Sequence, residues 1–312
     1  MVEAPRIECV RLLRRSSALV NVSEQTPVWT VNRATGQPVS LVRLLMPWQM
    51  VHDLRRHSSL IWQFTKRDVL MRYRGSYLGI LWSLLRPLCM LAVFFVVFGY
   101  IFQSRWGHDQ NETRIDYALG LFCGLIAFDF MAECLARAPT LVLSNPNYVT
   151  RVVFPVEILP VSAVGGALLH MVLSSIPLCL GYLFVHGSLH LTALYLPLIF
   201  IPLALLGLGL TWLFASLGVF IRDINSFVPV LITILMYASA IFYPISRVPA
   251  AMLPAVIHNP LAVLVENTRN VFMWGMPLNW GQYLSATLLC LVIMLFGYGF
   301  FMKTKNAFAD VV

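Results

Sequence analysis

The run LTALYLPLIFIPLALLGLGLTWLFASLGVF, residues 191–220, places no Asp, Glu, Lys, Arg or His in thirty consecutive positions. At about 1.5 Å of rise per residue, a helix of that length reaches about 45 Å, against roughly 30 Å for a bilayer's hydrocarbon core. No water reaches backbone polar groups in that layer, and a continuous helix satisfies its own. Five further apolar runs flank it, at Leu78–Phe102, Tyr117–Leu135, Leu159–Val185, Ser226–Tyr243 and Tyr283–Met302. The sequence therefore predicts an all-α polytopic membrane protein with six transmembrane helices, of which Leu159–Val185 and Leu191–Phe220 are long enough to tilt.

Composition agrees. Of 312 residues, 59% are hydrophobic and 12% charged, where soluble domains carry about 25% charged residues. A water-soluble domain, a disordered chain and a small disulfide scaffold are all excluded. The six cysteines, Cys9, Cys89, Cys123, Cys134, Cys179 and Cys290, show no CxxC spacing and read as small apolar residues. No metal site is expected.

Charge sets the expected orientation. Residues 1–77 hold twelve of the 22 basic residues and five acidic ones, 12 − 5 = +7 of the chain's net +8. Basic segments stay cytoplasmic, so the N-terminus is placed inside, and six crossings return the C-terminus, with Lys303 and Lys305, to the same side. Connections holding Arg151 and Arg222 are then cytoplasmic. Those with Arg105, Arg114, Arg247 and Arg269 face outward. The basic balance reads as topology and contact with anionic lipid, without a nucleic-acid motif.

Residues 1–40 lack a signal-peptide core and read as a weakly ordered cytoplasmic tail. Residues 41–77 form an interface segment. Leu41, Leu44, Leu45, Trp48, Val51 and Leu54 recur near helical spacing, opposite Arg43, Arg55 and Arg56, with a break at Pro47. The membrane domain runs over 78–303, followed by a cytoplasmic C-terminus at 304–312. Between the fifth and sixth runs, Pro244–Gly281 is apolar but interrupted by five prolines. It is expected to form short re-entrant helices, the alternative being an external loop.

None of the chain's three lysines, Lys66, Lys303 and Lys305, follows the glycine of a phosphate-binding loop GxxxxGK[ST], and HExxH and GxSxG are also missing. An enzyme of ordinary hydrolase type is not written here. An ion-gradient transporter would need ionisable groups deep in its spans. Asp129 and Glu133 are the candidates, although Glu133 and Arg137 also sit at the i,i+4 spacing of a structural ion pair. His170 reads as an interhelical hydrogen-bonding residue.

Three blocks carry a resemblance. The first joins Arg67-Asp68 to Arg72-Tyr73-Arg74-Gly75-Ser76-Tyr77-Leu78-Gly79-Ile80-Leu81-Trp82 and Arg86-Pro87-Leu88. The second, residues 130–160, reads FMAECLARAPTLVLSNPNYVTRVVFPVEILP. The third has Ile221-Arg222-Asp223-Ile224, Ile241-Phe242-Tyr243-Pro244 and Asn259-Pro260-Leu261. In this order, over roughly residues 58–303, the chain resembles ABC-2 type permeases that export cell-surface polysaccharides, especially O-antigen and lipopolysaccharide members.

That resemblance implies a transport permease and not an enzyme. It implies a homodimer in the bacterial inner membrane, with a separate cytoplasmic P-loop ATPase that holds the ATP and Mg, so that this chain needs no cofactor. The implied substrate is a polysaccharide on undecaprenyl diphosphate. The loop Asn145–Phe154 corresponds to the family's coupling helix, with Asn145, Asn147, Tyr148 and Arg151 as contact residues. Arg72, Arg74 and Arg86 are candidates for the lipid diphosphate, because guanidinium groups suit phosphate oxygens. Phe94, Phe98, Phe128 and Tyr237 are candidates for a weakly binding glycan channel, with Phe95 and Tyr117 beside them. The competing readings are an ion-coupled lipid or glycan flippase, and a membrane-embedded glycosyl or acyl transferase.

Overall fold

The computed structural model describes residues 47–73, 77–103, 105–107, 113–150 and 154–311. The expected tail at 1–40, and Arg74 and Arg151, lie outside the described residues. The helices in chain order are α1 Pro47–Arg56, α2 Ser58–Tyr73, α3 Trp82–Phe94, α4 Arg114–Arg137, α5 Pro146–Thr150 and α6 Ile158–His186. They continue as α7 Leu196–Phe220, α8 Ile224–Ala238, α9 Leu253–His258, α10 Pro260–Phe272, α11 Trp280–Thr304 and α12 Phe308–Val311. No strand occurs among the described residues.

Local chemistry sets the element ends. The Thr113 hydroxyl accepts from the Asp116 amide and the Asp116 carboxylate from the Thr113 amide, a capping box that starts α4. α6 stops at Gly187, whose φ of 73° lies in the left-handed region. Asn259 caps α10 ahead of Pro260, a residue suited to a first helical turn. α3 passes into a π-helical stretch, Phe95–Ile101.

Among the described residues, five segments are long and apolar enough to cross a membrane: Leu84–Ile101, Arg114–Thr140, Ile158–His186, Leu191–Phe220 and Trp280–Ala307. The run expected as the fifth span, residues 226–243, differs. Its helix, α8, has 15 residues and covers about 22 Å. It ends at Ala238, and Ala240 turns the chain at a φ of 51°.

α4 and α6 run antiparallel, with Asp116 against His186 at one end and Glu133 against His170 farther along. α7 and α11 run parallel. Tyr195 meets Trp280, the Tyr283 hydroxyl donates to the Leu198 carbonyl, and Trp212 meets Tyr298. Gly209 and Gly297 allow this contact, since a Cβ on Gly297 would run into the Gly209 carbonyl. A parallel pair requires the chain between them to return along the bundle. α8 starts beside the end of α7, and the Phe242 carbonyl beyond it accepts from the Tyr117 hydroxyl near the start of α4.

One apolar core lies among α4, α6, α7, α10 and α11. A second occupies the end of the bundle where α7 and α11 finish, and gathers Met50 from α1, Val142, Trp212, Tyr298, Phe301 and Phe308. α1 buries Met50 while Arg55 and Arg56 stay exposed. α2 is the reverse of an amphipathic helix on a soluble core. Its polar Thr65 is buried against the Ser162 carbonyl of α6, while Trp62, Leu70 and Met71 are exposed.

The expected re-entrant region contains α9 and α10. α10 is packed into the bundle, and Arg269, expected in an outward connection, is 1% exposed. Its Nε donates to the Gly120 carbonyl at 3.1 Å, its Nη2 to the Ile241 carbonyl at 3.1 Å, and its Nη1 to Glu266 at 2.8 Å. The guanidinium carbon lies 3.9 Å from the centroid of the Trp106 ring. One side chain thus joins α10, α4 and the turn after α8. Lysine, a single point donor, cannot reproduce that fork. Arg269→Lys is expected to lower stability by about 3 kcal/mol, read as an earlier thermal unfolding transition of the detergent-solubilised chain.

Candidate functional site

Asp129, Glu133 and Arg137 follow one another at i,i+4 along α4 and so form one stripe on it. Opposite them α2 presents Asp68 and Arg72, also four apart, and α6 presents His170. Arg137 grips Asp68 with both guanidinium nitrogens, its Nη1 at 2.6 Å from Oδ2. Arg72 contacts Glu133 and donates to Asp68 at 3.1 Å. His170 Nδ1 lies 3.0 Å from Glu133 Oε2. Small residues on α6 let α2 approach this closely: a Cβ on Gly165 would sit 2.9 Å from the Thr65 hydroxyl, and one on Gly166 2.8 Å from Asp68 Oδ2.

The expected pair along α4 is therefore a minor contact, with Glu133 and Arg137 at 4.0 Å. Both turn to α2 instead, because partners on a facing helix allow the bidentate geometry that an i,i+4 pair does not. Burial alone would raise the Asp68 carboxyl. The hydrogen bond and charge of Arg137, with those of Arg72, hold it below its ordinary value of 3.8.

The cluster forms one end of a cavity of about 1000 Å³ bounded by α3, α4, α6 and α8. Arg72, Arg86, Asp129, Glu133, Arg137 and His170 supply its polar end, and Trp82, Met90, Phe94, Phe122, Met236 and Phe242 line much of the rest. Arg86 and Asp129 feel each other's charge. Among the described residues neither has a hydrogen bond or a salt bridge, unlike Arg72. Of the candidate channel aromatics, Phe94 lines the cavity. Phe98 stands behind it, 6.1 Å from the Phe242 ring. Phe128 is 4% exposed in the main core and lines nothing. Tyr237 is exposed, with its ring 5.9 Å from that of Phe242.

Of the candidate loop residues, Tyr148 reaches α2. Asn145 donates to the Leu141 carbonyl at 2.9 Å, and Asn147 on α5 is exposed. Arg67 donates to the Tyr148 hydroxyl at 3.0 Å. Phe64, Tyr148 and Phe154 form an aromatic trio with centroids 4.9–5.4 Å apart. α2 thus holds α5 with Phe64 and Arg67, and the cavity wall with Asp68 and Arg72 one turn on. Arg67 and Asp68 stand in the first motif block of the sequence with no role assigned to them, and Phe64 carries no motif signal. The i,i+4 spacing of Asp68 and Arg72, matching that of Glu133 and Arg137, was the available signal. Among the described residues no three His, Cys, Asp or Glu side chains converge as metal ligands would.

A sequence model of the ABC-2 type transporter matches residues 59–273, about two-thirds of the chain and all of the helices that build this cavity. The chain belongs to the ABC-2 type transporter family. It is 27% identical over 270 residues to the O-antigen export system permease protein RfbA of Klebsiella pneumoniae, covering 86% of this chain and 100% of that protein. The corresponding RfbA of Myxococcus xanthus is 26% identical over 227 residues, covering 72% of this chain and 84% of that protein. The polysialic acid transport protein KpsM of Escherichia coli is 24% identical over 212 residues, covering 67% and 79%. The ABC-2 match begins at the start of α2 and so includes the helix that carries Asp68 and Arg72.

A carboxyl held below its ordinary range stabilises docking above that range, and the contribution is lost as pH falls through the lowered value. α2 is expected to stay protected from hydrogen exchange between pH 8 and 5 and to loosen below pH 4. Asp68→Ala, which leaves Arg137 without its main partner, is expected to cost about 2 kcal/mol at neutral pH and to abolish that acid step.

Proposed function

We propose that this chain is the membrane permease subunit of an ATP-driven exporter that carries lipid-linked cell-surface polysaccharide, of O-antigen or lipopolysaccharide type, out of the cytoplasm. The observation that carries the reading is the alignment with O-antigen export permeases over 100% of the Klebsiella protein. The position of α5 supports it. An exposed, five-residue helix is tied by Tyr148 to a helix that also holds the cavity wall. A push on α5 from the cytoplasmic side is thereby delivered to the cavity.

In this reading a separate P-loop ATPase docks at Asn145, Asn147, Tyr148 and Arg151 and supplies the ATP and Mg chemistry. The protein crosses a bacterial inner membrane six times with both termini cytoplasmic. α8 and the turn after it make the fifth crossing, which the parallel course of α7 and α11 requires. α1 and α2 lie in the cytoplasmic interface, with Trp62, Leu70 and Met71 facing lipid, and α9 and α10 fold back from the outer side. Two copies form the working unit, and the exposed apolar residues of α3 and the π-helical stretch after it, among them Leu88, Val93 and Val96, meet lipid or the second copy.

The substrate's undecaprenyl diphosphate enters at the polar end of the cavity. Arg72 and its neighbours are already paired, and the sequence candidate Arg74 lies outside the described residues. Arg86 is the cation left to receive phosphate oxygens. Phe94, backed by Phe98 and Phe242, offers a flat apolar surface along which sugar faces slide. Phe128 belongs to the surrounding core, and Tyr237 stands exposed beside Phe242.

The test is a pull-down of the tagged chain in mild detergent, followed by an ATPase assay on whatever remains bound. A stoichiometric P-loop ATPase is expected, and a homo-oligomer without ATPase activity would overturn the reading. Arg86→Gln is expected to cut export of lipid-linked glycan about tenfold or more while ATPase binding is unchanged, since hydrogen bonds to charged groups contribute about 1.5–3 kcal/mol.

A further inference from the structure

The last turn of α11 ends at Thr304, and nothing in a membrane span requires the residues beyond it. A polar terminus of that kind ordinarily frays. Here the backbone stays helical instead, through a tighter turn at Lys305–Ala307 and then α12, and Phe308 is buried completely. The Phe308 ring lies 5.3 Å from that of Phe301 and 5.9 Å from that of Phe220, at the ends of α11 and α7.

The same apolar cluster receives the segment around α5 at three points. Val142 before it is fully buried there, and Val149 within it and Val156 after it pack against the cluster. α12 touches α5 directly. Lys305 Nζ stands 3.6 Å from Glu157 Oε2 at the exit of the segment, and Trp212 Nε1 donates to the Glu157 carbonyl at 3.3 Å. A helix of five residues cannot sustain itself in isolation. Its position is set by what lies behind it. On one side that is α2, through Tyr148; on the other it is the C-terminal turn.

We propose that the C-terminal turn, residues 305–311, is a wedge that seats α5, and that Phe308 is a positioning residue for the signal passed between the ATPase and the membrane helices. The proposal rests on the exporter reading for what α5 does, but the seating itself does not depend on a partner. Force applied to α5 is transmitted only if the segment cannot slip. An incompressible backing of close-packed aromatic rings prevents the slip. With Phe308 removed, α5 gives way into the space left behind before α2 moves.

Hydrogen exchange on the full chain in lipid nanodiscs reads the seating. Phe308→Ala and a chain ending at Thr304 are each expected to speed exchange in residues 142–157 at least tenfold, with α4 and α7 unchanged. Phe308→Leu is expected to stay within about twofold of wild type. In the complex with the ATPase, Phe308→Ala is expected to retain the bound ATPase and lose at least fivefold of its substrate-stimulated hydrolysis, with Phe308→Leu restoring it. Unchanged exchange in 142–157 overturns the proposal. So does faster exchange throughout the bundle, which makes Phe308 a general packing residue, and so does normal substrate stimulation in Phe308→Ala. A wild-type chain that retains no ATPase overturns the exporter reading and the coupling role together. That outcome is distinguishable because the exchange measurement needs no partner.

Discussion

Carboxylates and guanidinium groups placed on an apolar helix must find partners, because each isolated charge taken from water costs several kcal/mol. Glu133 and Arg137 on α4 meet that constraint by drawing in α2. Asp68 and Arg72 complement them, His170 takes the remaining oxygen of Glu133, and Gly165 and Gly166 remove the bulk that would keep the helices apart. The placement of α2 follows. It docks by its polar side and leaves Trp62, Leu70 and Met71 outward, the opposite of an ordinary helix on a soluble core.

From that docking comes the cavity. Its polar end is the ion cluster, its walls are α3, α4, α6 and α8, and its charges divide into paired and unpaired ones. Arg72, Arg137, Asp68 and Glu133 neutralise one another, which makes them structural in the resting arrangement. Arg86 and Asp129 are not so engaged. Among the described residues that line the cavity, Arg86 is the guanidinium without a hydrogen bond or salt bridge. Because α2 also holds Tyr148, the same helix connects this wall to the exposed α5.

The far end of the bundle is stabilised by a different device of the same kind. Arg269 enters a nearly dry site, where its five donors are spread over the Gly120, Ala240 and Ile241 carbonyls and Glu266, with the Trp106 ring against its face. It fixes α10 and the turn following α8, where the backbone has left regular helix and its carbonyls need donors. Arginine thus ties the bundle in two ways, to carboxylates of facing helices at the ion cluster and to backbone carbonyls around Arg269.

The sequence by itself determined that this is an α-helical membrane protein, because thirty residues without a charge admit few other fates. It also determined the order of the apolar runs and the basic N-terminal third, and its three motif blocks carried the family. The stripe Asp129, Glu133 and Arg137 was legible as spacing along one helix. Only the tertiary structure decided where those charges go. Polar contacts between helices have no fixed sequence separation: Asp68 and Arg137 lie 69 residues apart, and Arg67 and Tyr148 81. The tertiary structure also sorted Phe94 on α3 into the cavity wall and Phe128 on α4 into the core, since aromatic residues inside apolar runs carry no periodic signal that ranks them. It buried Arg269, which hydropathy alone assigns to a loop, because the carbonyls that satisfy it come from elements far apart in sequence.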